Sequence, residues 1–195
     1  MPALNDAALA QIFNEARTQN GWLDTPVSDD ELRALYNTLK HGPTSLNCQP
    51  ARYVFIRTPE AKERLKPLLM EGNREKAMAA PVNVIIGMDL HFFEHLPRFF
   101  PFMDARPWFS SNAAFARETA LRNGSLQGAY LMIAARALGL DVGGMSGFDA
   151  AGVSAEFFPG GTVEANFICN LGHGDASKLY PVLPRFEFDE ICRLA

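Results

Sequence analysis

The sequence predicts an α+β fold, a central mixed sheet surrounded by long helices. Three observations carry this prediction. Short apolar runs suited to strands are interleaved with stretches of helical periodicity, the strand-like runs are few, and one helical stretch near 113–138 far outlasts the others. A chain of 195 residues suits one domain, taken here as 1–195, and can bury a sizeable core.

The elements follow in order. Residues near 6–18 read as a helix with Leu9, Ile12, Phe13 and Ala16 on one face, broken at Asn20-Gly21. Ser28-Asp29-Asp30-Glu31 has the form of a capping box, Ser28 as N-cap and Glu31 three residues on. The helix it opens carries Leu32, Leu35, Tyr36 and Leu39 and stops at Gly42. Tyr53–Ile56 reads as a strand, and Pro59 opens a further helix with Leu65, Leu68 and Leu69. Asn83–Met88 is an apolar strand of the kind buried on both faces. The long helix places Leu126, Tyr130, Ile133, Ala134 and Ala137 at helical spacing and ends before Gly139. Val163–Leu171 is the third strand.

Composition excludes several classes. Hydrophobic residues make up 48% and charged residues 21%, ordinary for a globular chain. A net charge of −4 without a basic run argues against a nucleic-acid footprint. The N-terminal residues lack the basic and apolar regions of a signal peptide, and no apolar stretch approaches the ~20 residues of a membrane helix. Three cysteines, Cys48, Cys169 and Cys192, lack zinc-type spacing and point to reduced thiols in the cytoplasm. Aromatic residues cluster between Phe92 and Phe115, as a packed excursion, a dimer contact or one wall of a pocket.

The most informative segment is Gly42-Pro43-Thr44-Ser45-Leu46-Asn47-Cys48-Gln49-Pro50, at a helix–strand junction. It offers two hydroxyls and two amides between prolines that restrict the backbone, which suits a planar hydrogen-bonding ligand. The same residues also make turns for local reasons alone. Dinucleotide-fingerprint, P-loop, zinc-protease and serine-hydrolase motifs are all absent. His91 and His95 are four apart but have no third ligand nearby, and Cys48 is a candidate nucleophile without a local histidine. Arg17, Lys178 and Arg185 could converge on a phosphate, and the glycines of Gly144-Met145-Ser146-Gly147 would let backbone N–H groups approach a ligand. Singly, each cation also reads as solvated surface charge.

Taken in order, these residues resemble the FMN-dependent nitroreductase family over nearly the whole chain. The features are Arg17, Gly-Pro-Thr-Ser-x-Asn-x-Gln-Pro, Gly72-Asn73 before Ala80-Pro81, a glycine-rich loop after the long helix, and Gly172-x-Gly-Asp with Pro184-Arg185. Asn20-Gly21-Trp22, Met145–Asp149 and Asp175–Arg185 resemble the HadB/RutE-like branch, which contains the malonic semialdehyde reductases of pyrimidine breakdown. The resemblance implies an intertwined homodimer with an FMN in each of two interface clefts. It implies Arg17, Lys178 and Arg185 at the FMN phosphate, and Pro43, Thr44, Ser45 and Asn47 along the ribityl chain and ring edge from the partner subunit. Asn73 would bond the pyrimidine, and the N–H groups of Ser146 and Gly147 would face N5 and O4. Two departures stand out. Many members carry a second cation where this chain has Asn20 and Gly21, and a Glu where it has Ser146; Arg74 or Lys76 could restore some positive charge.

On this resemblance the chain is an NAD(P)H-dependent oxidoreductase with ping-pong hydride transfer at flavin N5 and no catalytic side chain. The branch implies malonic semialdehyde, reduced to 3-hydroxypropionate, as the acceptor. Its carboxylate needs a cation, for which Arg106 is the candidate, unless Arg106 simply pairs with Asp104. Alternative readings are a reductase of nitroaromatics, quinones or enals, a flavin-binding protein with little turnover, and a cofactor-free helical scaffold.

Overall fold

The computed structural model describes residues 2–195. The helices are α1 (Asp6–Leu9), α2 (Asp29–Leu39), α3 (Pro59–Leu65), α4 (Glu71–Ala79), α5 (Leu96–Phe99), α6 (Arg106–Ser110), α7 (Ala113–Ala137), α8 (Ala150–Phe157) and α9 (Phe188–Ile191). The strands are β1 (Ala51–Ile56), β2 (Val82–Asp89), β3 (Asp141–Met145) and β4 (Val163–Gly172).

The strands form one sheet in the order β1-β2-β4-β3. All the ladders are antiparallel, where a mixed sheet was expected; the parallel contact is an isolated bridge between Thr18 and Val142. Every residue of β2 is buried, as the apolar run Val84–Met88 requires of a central strand packed on both faces. One face of the sheet packs against α2 and α7 through Leu35, Leu39, Leu131 and Ala135. The other packs against α3, α4 and α8 through Leu65, Ala77 and Val153. A third cluster, Phe92, Phe93, Leu96 and Phe109, fills the interior of the aromatic excursion and seats it on Ala116 and Ala120 of α7.

Local signals hold where the chain satisfies its own ends. The Ser28–Glu31 capping box forms in both directions. Thr58 caps α3 with Pro59 in its first turn, and the helix at 113–138 is α7. Three expectations change. The first helix stops at Leu9 and unwinds through a π turn at Ala10–Asn14 with no residue buried, after which Thr18 and Gln19 lie along β3. A fourth strand, β3, occupies what reads as a glycine loop. Its Gly143 has no Cβ because the Gln19 carbonyl oxygen passes 2.6 Å from where one would stand.

The third change concerns the orientation of α7. Its buried face carries Ala116, Thr119, Ala120, Asn123, Gly124, Gln127, Gly128 and Leu131, small and polar groups at helical spacing. Small residues are needed because the helix lies close on the sheet: a Cβ at Gly128 would stand 2.3 Å from the Phe167 ring. Leu126 and Tyr130, expected in the core, are instead 45% and 38% exposed.

Candidate functional site

The polar loop after α2 is held by α7. The N–H of Ser45 donates to Asn123 Oδ1 at 2.8 Å, and the N–H of Ala51 donates to Gln127 Oε1 at 2.8 Å. Asn123 and Gln127 are one helical turn apart, so their amides meet the two ends of the loop. Asn123 is itself oriented by donating to the Thr119 carbonyl. Between these anchors Leu46, Asn47 and Gln49 all have positive φ, at 52°, 50° and 41°. Three left-handed non-glycine residues in four positions are strained, and such strain persists only where surrounding bonds over-determine it. Thr44 Oγ1 accepts from the Gln49 N–H, and Asn47 Nδ2 donates to the Phe99 carbonyl. Pro43, Ser45 and Asn47 are exposed, so the loop presents a fixed polar surface. Asn123 and Gln127 escape the sequence reading because amides on a helix read as surface; their spacing with the buried alanines was the available signal.

Arg17 and Arg185 come together. They line a cavity of about 540 Å³ with Phe13, Asn20, Arg136 and residues 180–183. Arg17 donates to the Tyr180 carbonyl, and Arg185 Nη1 to the carbonyls of Leu183 and Pro184 at 3.1 Å. Lys178 lies in the adjoining cavity, about 660 Å³, with Lys76, Glu75 and Asp175. Asn20 and Tyr180 line both. Gly21 is glycine because the Lys178 stem crosses it, 2.4 Å from where a Cβ would be. The adjoining cavity balances its cations with carboxylates, whereas the first has none on its walls. A hydrogen bond to Ser177 holds the Asp175 carboxyl below its usual range, so this carboxylate stays charged. Lys76 faces the second cavity, while Arg74 donates to the Leu69 carbonyl.

Asn73 and Gly147 form the third element. Asn73 Nδ2 donates to the Gly147 carbonyl at 2.9 Å, and the Met70 N–H donates to the same oxygen at 3.1 Å. A side chain at position 147 would displace the Asn73 amide, since its Cβ would stand 2.4 Å from Asn73 Nδ2. The start of α4 is thereby docked on the segment after β3, with Leu69 bridged to Phe148. Ser146 is exposed, and among the described residues no acceptor meets the N–H of Ser146 or Gly147. These two groups are free to donate outward.

The loop and the cationic cavity lie apart. Asn123 anchors the first and Arg136 lines the second, so they are separated along α7 by about 20 Å at 1.5 Å per residue. One chain therefore does not assemble the whole set.

The remaining candidates separate cleanly. Arg106 is held by Asp104 through two bonds of 2.8 Å, and the guanidinium lowers the Asp104 carboxyl to about 2. Cys48 is buried, and burial pushes its thiol up to about 11, which opposes a nucleophilic role. His91 precedes the short turn Phe92–His95 and His95 ends it, and among the described residues no three metal-ligating side chains gather. No helix among the described residues is long and apolar enough to cross a membrane.

The residues present fit an anionic, planar, hydrogen-bonding cofactor: unpaired guanidinium groups, free backbone donors and a rigid amide-rich loop. Comparison with known proteins defines the class. Residues 15–159 match the model of the nitroreductase family, and the chain belongs to that family. A Burkholderia lata protein provisionally named NADH dehydrogenase/NAD(P)H nitroreductase is 59% identical over 194 residues, covering 100% of both chains. Among solved structures, the provisionally assigned Bacillus subtilis nitroreductase YdfN superposes with a TM-score of 0.88 at 20% identity, over 98% of this chain and 100% of that one. An Exiguobacterium sibiricum nitroreductase, solved in complex with FMN, gives 0.84 at 18% identity, over 100% of this chain and 99% of the other. At such identities the superpositions establish the fold, which is the nitroreductase-like α+β fold expected from the sequence.

Proposed function

We propose that this chain is an NAD(P)H-dependent, FMN-binding oxidoreductase whose residues 1–195 act as one unit within a homodimer. The observation that carries the reading is the pair of half-sites at the middle and the C-terminal end of α7. The arginine cavity suits a phosphate, and the strained polar loop suits a ring edge and ribityl chain; a second copy would bring the loop of one chain to the cavity of the other. FMN, when bound, supplies the two-electron chemistry. Arg17 and Arg185 would hold its phosphate with Lys178 alongside, and Asn73 with the N–H groups of Ser146 and Gly147 would orient the ring. Pro43, Thr44, Ser45 and Asn47 would close the site from the partner.

Two surfaces support the dimer. Leu126 and Tyr130 face outward from α7, and Val182, Leu183, Phe186 and Ile191 of the C-terminal segment are between 67% and 76% exposed. β1 also stands at the edge of the sheet with its outer side unpaired. Apolar area on this scale calls for a second copy to cover it.

For the acceptor, the motifs at Asn20–Trp22, Met145–Asp149 and Asp175–Arg185 support malonic semialdehyde and a place in pyrimidine breakdown. Arg106 would need to exchange Asp104 for the substrate carboxylate. The name of the Burkholderia lata relative, which includes NAD(P)H nitroreductase, supports a nitroaromatic acceptor instead.

An absorption spectrum before and after adding FMN, then NAD(P)H under anaerobic conditions, tests the reading. A yellow protein that bleaches supports it, and turnover with each acceptor in parallel separates the two substrate classes. Bound flavin that is not reduced would make the chain a flavin-binding protein. A protein that stays colourless in excess FMN would refute the reading, and a monomer that binds FMN tightly would refute the dimer.

A further inference from the structure

We propose that Arg136, on the last turn of α7, is a phosphate-binding residue of the flavin site, taking the place of the cation missing at Asn20–Gly21. The proposal rests on the FMN reading above. It starts from an imbalance of charge. Arg17, Arg136 and Arg185 line one cavity of about 540 Å³, and no carboxylate lines it. Six arginines elsewhere, Arg52, Arg57, Arg64, Arg106, Arg117 and Arg122, each pair with an Asp or Glu, and Arg33, Arg74, Arg98 and Arg193, which among the described residues do not, are scattered outside the cavity. Among the described residues the three cavity arginines have no such partner and touch only backbone carbonyls. Arg136 Nη1 reaches the Ile12 carbonyl at 3.2 Å, Arg17 the Tyr180 carbonyl, and Arg185 the carbonyls of Leu183 and Pro184.

Each guanidinium carries five donors, so most of those in the cavity remain unused. Three like charges around one partly enclosed space repel, and the arrangement is stabilised by an anion that accepts several hydrogen bonds. A phosphate monoester does this, its oxygens matching the planar fork of arginine. The protein carries a net charge of −4, so the positive cavity is a local feature and not a consequence of overall composition. Arg136 is also placed rigidly. Its backbone carbonyl accepts from Gln11 Nε2 at 2.7 Å, and its side chain crosses to Ile12, so the π turn after α1 and the end of α7 hold it at the cavity wall.

The experiment compares FMN with riboflavin, which has the same ring and ribityl chain but no phosphate, by flavin-fluorescence titration of the full chain. Wild type is expected to prefer FMN. Arg136→Met should weaken FMN about tenfold or more and leave riboflavin within about twofold, as for loss of one charge-assisted hydrogen bond. Arg136→Lys should restore part of the preference, because it keeps the charge without the fork. If Arg136→Met weakens both flavins equally, its role is structural and the proposal fails; it fails too if FMN binding is unchanged. A wild type that binds both flavins equally would overturn the phosphate assignment while leaving the flavin reading intact, and one that binds neither would overturn both. Should Arg136→Met not fold, thermal shifts with inorganic phosphate decide: stabilisation of wild type but less of Arg136→Lys supports the proposal, and equal stabilisation refutes it.

Discussion

The middle and the C-terminal end of α7 are built in opposite ways. Around Asn123 and Gln127 the groups are neutral, buried and hydrogen-bonded, and the loop they hold is strained at Leu46, Asn47 and Gln49. At the Arg136 end the groups are charged and without carboxylate partners, and they line an open cavity. The first region spends folding energy on shape; the second stores unbalanced charge. The difference teaches that the two should fail differently, the first through stability and geometry, the second through ionic strength.

The largest expected break is Gly143→Ala. Its Cβ would meet the Gln19 carbonyl at 2.6 Å, a backbone atom that cannot rotate away. The 17–19 segment must lift from β3, which should cost about 1–3 kcal/mol in denaturant unfolding. FMN affinity should fall with it, although no charge changes. Next is Asn123→Leu, which removes the acceptor of a part-buried Ser45 N–H. It should destabilise the protein by about 1–3 kcal/mol, without altering the salt dependence of FMN binding. That salt dependence is the third test: wild-type affinity should drop between ~0.05 and ~0.5 M NaCl, as screening weakens the arginine cavity. A flat response would place the anion elsewhere.

Smaller effects sharpen the contrast. Cys48 sits within the pinned loop with its thiol raised to about 11 by burial, so at pH 8 it stays protonated and should alkylate slowly with iodoacetamide. In Asn123→Leu, labelling at Cys48 should accelerate, as read by mass spectrometry, whereas salt should leave it unchanged. Arg106→Ala removes an exposed ion pair and should leave the unfolding midpoint nearly unchanged. A raised KM for malonic semialdehyde would make Arg106 the substrate anchor. An unchanged KM would leave it paired with Asp104 as a surface contact.

Some of this architecture is legible residue by residue. The capping box at Ser28–Glu31, Pro59 in the first turn of α3, the apolar run of β2 and the length of α7 are local properties, set by orphaned helix-end groups and by burial on both faces of a central strand. Individual candidate residues could be named from the sequence but their grouping could not: Asn73 donates to the Gly147 carbonyl, and Arg17 and Arg185 line one cavity, although no distance along the chain relates either pair. What was not legible depends on close approach. β3 passed for a loop because its Gly143 answers to the Gln19 carbonyl, which is far from it in sequence. The buried face of α7 was misread because contact with the sheet selects small and polar residues there, leaving Leu126 and Tyr130 outside.

The sequence by itself therefore determined the α+β class, the helix caps, the central strand and the side-chain chemistry of the candidate residues, since these follow from side-chain type and short-range periodicity. Tertiary structure alone decided which face of α7 is inside, that Gln19 lies against Gly143, that Asn123 and Gln127 pin the strained loop, and that Arg136 joins Arg17 and Arg185 in a cavity without a carboxylate. Those outcomes are set by which distant backbones can approach within van der Waals contact, and no local pattern encodes that distance.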